Sequence, residues 1–166
     1  MSNMTWEYDD RSGRYLVRGA RILFPNFEGA EQDYNQQGKR NFRLELDEDL
    51  ANELRGRGVF VREREGRDDT EERQYLMKVG VYRDADVRLL SDRNMTALPL
   101  ERFGMVDREY SKGHVINGDI DLEFHISRNT QIASSSPYVR LDTIIIPIRK
   151  SRLLSQYEDY EQDEMD

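Results

Sequence analysis

Apolar and polar residues alternate with period two along much of this chain. The clearest run is Gln74 to Arg83, QYLMKVGVYR. Such alternation sends successive side chains to opposite faces of a β-strand. Tyr75, Met77, Val79 and Val81 share the face suited to a core; Leu76, Lys78, Gly80 and Tyr82 share the other. Residues 39–47, KRNFRLELD, alternate as cleanly, with Phe42, Leu44 and Leu46 inward and Asn41, Arg43 and Glu45 outward. A strand is expected over 15–27, broken near Gly19 and stopped by Pro25, with Ile22 and Phe24 on one face. Others are expected at 59–65, 86–91, 115–127 and 138–148. In the 115–127 run, Ile120, Leu122, Phe124 and Ile126 face in, and Asp119, Asp121 and Glu123 face out. Phe42 and Phe124 alternate with aliphatics, which assigns them to the core.

One helix interrupts this pattern. Asp47 is a capping residue, acids follow it in the first turn, Leu50 and Leu54 make an apolar stripe, and Gly56 or Gly58 ends the run. The connections are polar: a loop at 28–38, a charged turn at 66–73, an irregular stretch at 92–114 with one helical turn at PLERFG, and a turn-rich loop at 128–137. Six or seven short strands with one inserted helix suit a small barrel or sandwich. The expected fold is mostly β, an OB-fold-like five-stranded Greek-key barrel with extra strands or hairpins. Residues 1–12 are expected to be a flexible N-terminus, 13–150 the folded domain, and 151–166 a hinge and a disordered acidic tail.

Charge is unevenly spread. The formal net charge is −8, but six of the 33 acidic residues lie in the last ten positions, YEDYEQDEMD. That leaves 27 acids against 25 basic residues upstream, a net −2. Acid concentrated at one end reads as an interaction tail, and the body has cations to place on one face. There is no cysteine and there are only two histidines, so disulfides, thiolate metal sites and a histidine-rich metal site are excluded. A carboxylate-only Mg²⁺ or Ca²⁺ site stays open, and no cofactor is expected. No apolar run is long enough to span a membrane and the N-terminus lacks a secretory pattern, so a cytoplasmic location is expected. Phosphate-binding glycine loops and the common hydrolase motifs are absent.

The outward faces carry the candidate chemistry. Lys78 can meet a phosphate, Tyr82 can stack on a base, and Gly80 leaves the backbone open to approach. An ordinary edge strand, with its lysine opposing aggregation, explains the same residues more blandly. Tyr34, alone in a polar loop that runs into Lys39 and Arg40, is either a stacking finger or a ring folded back on the body. Arg108, Tyr110, Lys112 and His114 again mix rings with cations, as a second binding loop or a structural connector. Cations predicted to screen phosphates are Lys39, Arg40, Arg43, Lys78, Arg83 and Lys112; rings predicted to stack on bases are Tyr34, Tyr82 and Tyr110. Asp119, Asp121 and Glu123, with His125 nearby, are the only grouping that suggests metal-dependent hydrolysis. An OB-like module that binds a protein partner rather than nucleic acid is the other alternative.

Three blocks of sequence resemble phage-encoded single-stranded-DNA-binding proteins of the OB-fold type. They are ARILFPNFEG with YNQQGKRNFRLELDEDLANELRGRGVFVRE, then QYLMKVGVY, then HVINGDIDLEFHI with YVRLDTIIIPI and the acidic end. The resemblance implies sequence-independent binding of single-stranded DNA in phage replication and recombination, with no enzymatic activity. It also implies a tail, through Tyr157, Glu158, Asp159, Tyr160, Glu161, Asp163, Glu164 and Asp166, that recruits replication or recombination proteins and competes with DNA. This chain departs from the pattern at its end, where Met165 is followed by Asp166 rather than by a terminal apolar residue. No helical heptad or broad apolar face specifies an oligomeric state, so a homo-oligomer is left open.

Overall fold

The computed structural model describes residues 4–30, 39–65, 73–92, 94–129, 131 and 136–149. Its strands are Thr5–Asp9 (β1), Arg14–Ala20 (β2), Ile22–Asn26 (β3), Asn41–Leu46 (β4), Arg62–Arg64 (β5), Gln74–Gly80 (β6), Asp86–Ser91 (β7), Asn94–Leu98 (β8), Ile120–Ser127 (β9) and Tyr138–Pro147 (β10). The helices are Glu48–Gly56 (α1) and Gly104–Ser111 (α2), with a 3-10 turn at Leu100–Arg102. The fold is therefore mostly β, as expected, with two short helices rather than one.

The hydrogen-bonded path runs β1-β2-β9-β10-β6-β4-β3. The β6–β10 pairing is parallel and the others on the path are antiparallel. β2 and β3 are consecutive in the chain, separated only by Arg21, yet pair with β9 and β4 respectively. One bent run thus serves both arms of the path. The Arg21 carbonyl accepts from the Glu45 amide at 3.0 Å, tying the bend to β4.

The inward residues are those the alternation predicts: Phe42, Leu44, Val79, Ile120 and Phe124 are fully buried, with Met77 beside them. Burying a side chain of this size contributes roughly 1.5–3 kcal/mol. Phe27 stacks on Phe42 at 5.3 Å, and Tyr15 on Phe124 at 5.2 Å. Asp47 caps α1, accepting from the Leu50 amide at 2.8 Å, and Leu50, Ala51 and Leu54 are buried.

Four expectations are corrected. Residues 5–9, within the segment expected to be flexible, pair with β2 along their whole length, because Trp6 and Tyr8 turn onto the core. The strand expected at 59–65 shrinks to Arg62–Arg64, and Phe60 is exposed. The irregular 92–114 stretch contains β8 and α2. β8 is almost wholly exposed, so no burial pattern marks it. α2 is short, with Val106 buried and Tyr110 packed against the core. Finally, Ile22 is buried but Phe24, expected on the same face, is 61% exposed.

Candidate nucleic-acid interface

Register decides what stands together on the outer face of β4 and β6. Arg43 lies directly opposite Lys78, and Glu45 lies opposite Leu76. On the other edge of β6, Arg62 of β5 is also opposite Leu76. Leu76, expected outward, is buried between these two neighbours. Like charges directly across two strands are destabilising. Here that repulsion is felt at Lys78. The Lys78 ammonium is held below its ordinary pKa, first by partial burial and then by Arg43 and Lys39 nearby. The Arg43 guanidinium is lowered too, by burial and by Arg62. Among the described residues no ion pair involves Arg43, Lys78, Lys39 or Arg62. Four cations thus gather on one face, where the carboxylate of Glu45 also lies but forms no described ion pair with them.

The aromatic part of the face sits where β6 meets β10. Gly80 pairs with Arg140 there, which brings together residues about sixty positions apart. The Tyr82 ring folds back over Gly80; a Cβ at that position would stand 2.9 Å from the ring edge. Gly80 therefore seats Tyr82, instead of opening the backbone to a ligand as expected. Tyr138 lies 6.3 Å from the Tyr82 ring, and the Arg140 guanidinium sits 4.1 Å from its centroid. Arg140 is in turn held by Asp84 at 3.2 Å. Both rings stay partly open, Tyr82 at 41% and Tyr138 at 36% exposure. Partial burial and the Tyr138 hydroxyl raise the Tyr82 pKa, so this phenol stays neutral. Tyr138 and Arg140 were not among the predicted site residues; only their shared face is visible in the sequence.

The other predicted residues divide clearly. Lys39 and Arg83 are exposed, and Arg40 is half-buried at a shallow cavity lined by Glu28, Arg102, Gly104 and Arg108. Tyr110 does not offer a free ring. It packs against the core, and its hydroxyl donates to the Ile22 carbonyl at 3.2 Å, so it clasps α2 to β3. Lys112 is the exposed C-cap of α2. Tyr34 and the tail residues Tyr157 to Asp166 lie outside the described residues.

Of the carboxylates considered for hydrolysis, Asp121 has other partners. Asp121 accepts from the Gly19 amide at 3.2 Å and faces Arg18 at 3.8 Å. His125 is hydrogen-bonded to Asp142 at 2.9 Å. No cluster of three or more metal-ligating side chains occurs among the described residues. Nor is any helix among them long and apolar enough to cross a membrane.

Among the solved structures similar to this chain are three of one phage protein. They are the single-stranded DNA-binding protein from bacteriophage Enc34 truncated at its C-terminus (TM-score 0.50, 10% identity, covering 90% of this chain and 97% of that one), the same protein in complex with ssDNA (0.51, 9%, 91% and 98%), and the Enc34 protein itself (0.51, 10%, 90% and 92%). At this identity the likeness is one of fold. No curated protein matches the sequence. A family model described as "Putative phage ssDNA-binding domain" matches residues 5–97, more than half of the chain. The family and the similar structures are both described as binding single-stranded DNA. The cationic strands β4 and β6 fall inside the matched region, and the chain belongs to this phage ssDNA-binding family.

Proposed function

We propose that the chain binds single-stranded DNA without sequence preference, across the outer face of β4 and β6. The carrying observation is the Arg43–Lys78 pair, two cations side by side with no ion pair among the described residues. A phosphate between them would turn a repulsion that weakens the fold into two attractions. Lys39, Arg40 and Arg83 extend the track, while Tyr82 and Tyr138, with Tyr34 from the loop, take the bases by stacking. The strand order supports an OB-type barrel, with β2 and β3 acting as one bent first strand and β4, β6, β9 and β10 completing five. Barrels of this type bind oligonucleotides on their second and third strands, which here are β4 and β6. The similar Enc34 protein has been solved with ssDNA bound, which supports the same ligand.

In this reading the protein serves phage DNA replication or recombination in the host cytoplasm. The folded domain spans 13–150, joined at its N-terminal edge by β1. The six acids of 157–166 compete with DNA for the cationic face and recruit replication or recombination proteins. Competition among single-stranded DNA, duplex DNA and RNA over a salt series tests the ligand; retention of single strands is expected to fall steeply as salt rises. Equal retention of duplex would refute it. Removing residues 157–166 is expected to tighten poly-dT binding at low salt, and unchanged or weaker binding would remove the competing tail.

A further inference from the structure

Phe24 stands out on three counts. It is a large ring at 61% exposure, its φ is +52°, and it precedes Pro25. Left-handed backbone is rare for a bulky residue, and a residue before proline is normally held extended. Such strain persists only where the surroundings fix it. They do so on both sides. Before Phe24, the Ile22 backbone is clamped by the Asn117 side chain, which accepts from its amide at 2.8 Å and donates to its carbonyl at 2.9 Å. After it, buried Asn26 accepts from the Gly29 and Ala30 amides, and Asp107 of α2 accepts from those of Phe27 and Glu28. Between the anchors the β3–β4 register slips, from Leu23–Arg43 to Asn26–Asn41. Irregularities of this kind re-aim a side chain. Here the slip turns Phe24 out from β3 next to the residue that pairs with Arg43.

The ring already has a cation over it. The Arg64 guanidinium of β5 lies 6.0 Å from its centroid, and Arg64 Nε donates to the Gln74 side chain, which steadies it. β3 and β5 lie on opposite sides of β4 and β6, so this contact reaches across the face that holds Arg43 and Lys78. A nucleotide base stacked on both sides occupies about 3.4 Å per layer, or roughly 7 Å between its neighbours. Ring and guanidinium need to part by only about an ångström to admit one.

We propose that Phe24 and Arg64 are a stacking pair for one nucleotide base, with the ring held outward by the strained bend of β3. This rests on the single-strand reading above. Because Asn tolerates positive φ, Phe24→Asn should relieve strain while removing the ring. The expected result is a Tm equal to or above that of the wild type, with poly-dT affinity reduced at least about five-fold. Affinity for an abasic strand of the same length should be unchanged. Phe24→Trp should restore poly-dT affinity, and its fluorescence should be quenched on binding beyond any change from Trp6, the sole natural tryptophan. Wild-type poly-dT affinity in Phe24→Asn, or equal losses on poly-dT and abasic strands, would overturn the stacking pair and leave the single-strand reading standing. Failure of the wild type to hold poly-dT at low salt would overturn both.

Discussion

Arginines on the two sides of this molecule live differently. On the β1–β2–β9 side they are matched: Arg14 faces Asp142 at 3.6 Å, Arg18 faces Asp121 at 3.8 Å, and Arg57 bonds Glu53 at 3.1 Å while lying 4.4 Å from the Tyr8 ring. On the β4–β6 side Arg43 and Lys78 face each other, with Arg62 and Lys39 adding to the same field. Exposed ion pairs contribute about 0–1 kcal/mol each, so the matched side gains little stability from them. What it gains is neutrality. The unmatched side gives up that small benefit and retains its charge. In the proposed reading, a surface that tolerates repulsion across two paired strands serves an anionic partner.

The largest effect should come from inverting that surface. Arg43→Glu with Lys78→Glu should abolish measurable single-strand binding at moderate salt, whereas Arg14→Gln with Arg18→Gln should leave affinity within about two-fold. Arg14, Arg18 and Lys78 are exposed and Arg43 is half-buried, so the fold should survive in both variants within roughly 1–2 kcal/mol of the wild type by thermal unfolding. Equal losses from the two pairs would erase the distinction between the sides.

The rings come next. Tyr82→Ala and Tyr138→Ala should each weaken poly-dT binding by roughly 1–3 kcal/mol without unfolding the protein. The double variant should lose less than the sum, because the rings touch. Full additivity in a fluorescence titration would show that they serve separate bases.

The smallest effect concerns the matched side. Burial, and then the hydrogen bond to Glu53, raise the Tyr15 phenol to about 12 from an ordinary 10. A group raised in the folded state contributes stability that is present below its unfolded pKa and lost as pH climbs through the folded one. Stability should therefore fall between pH 10 and about 12, and Tyr15→Phe should flatten that part of the profile. Because Tyr15 is fully buried on β2, which pairs with β1 and β9 rather than with β4 or β6, single-strand affinity at neutral pH should not follow. An unaltered alkaline profile in denaturant melts would rule out Tyr15 as its source.

What could be read in the sequence followed from local rules. Period-two alternation placed Phe42, Leu44 and Phe124 in the core, and Asp47 announced its helix through capping chemistry. It also pointed Arg43 and Lys78 outward, though not at one another, since register between strands 35 residues apart leaves no local mark. Tyr138 was missed as a partner of Tyr82 because only the parallel β6–β10 pairing joins them. Phe24 was misplaced because a positive φ reverses the facing that alternation assumes. Tyr110 looked like a free ring among cations, yet its hydroxyl is taken by a backbone carbonyl from a distant strand. Local patterns report which way a side chain faces; long-range pairing decides what it meets.

The most direct test is the salt dependence of poly-dT binding for the wild type and for Arg43→Gln with Lys78→Gln. If the two cations share one phosphate between them, the slope of log affinity against log salt should shrink in magnitude by about 0.7, the value for one phosphate of a single strand that is no longer neutralised. An unchanged slope, with or without a change in affinity, would mean that no phosphate lies between Arg43 and Lys78.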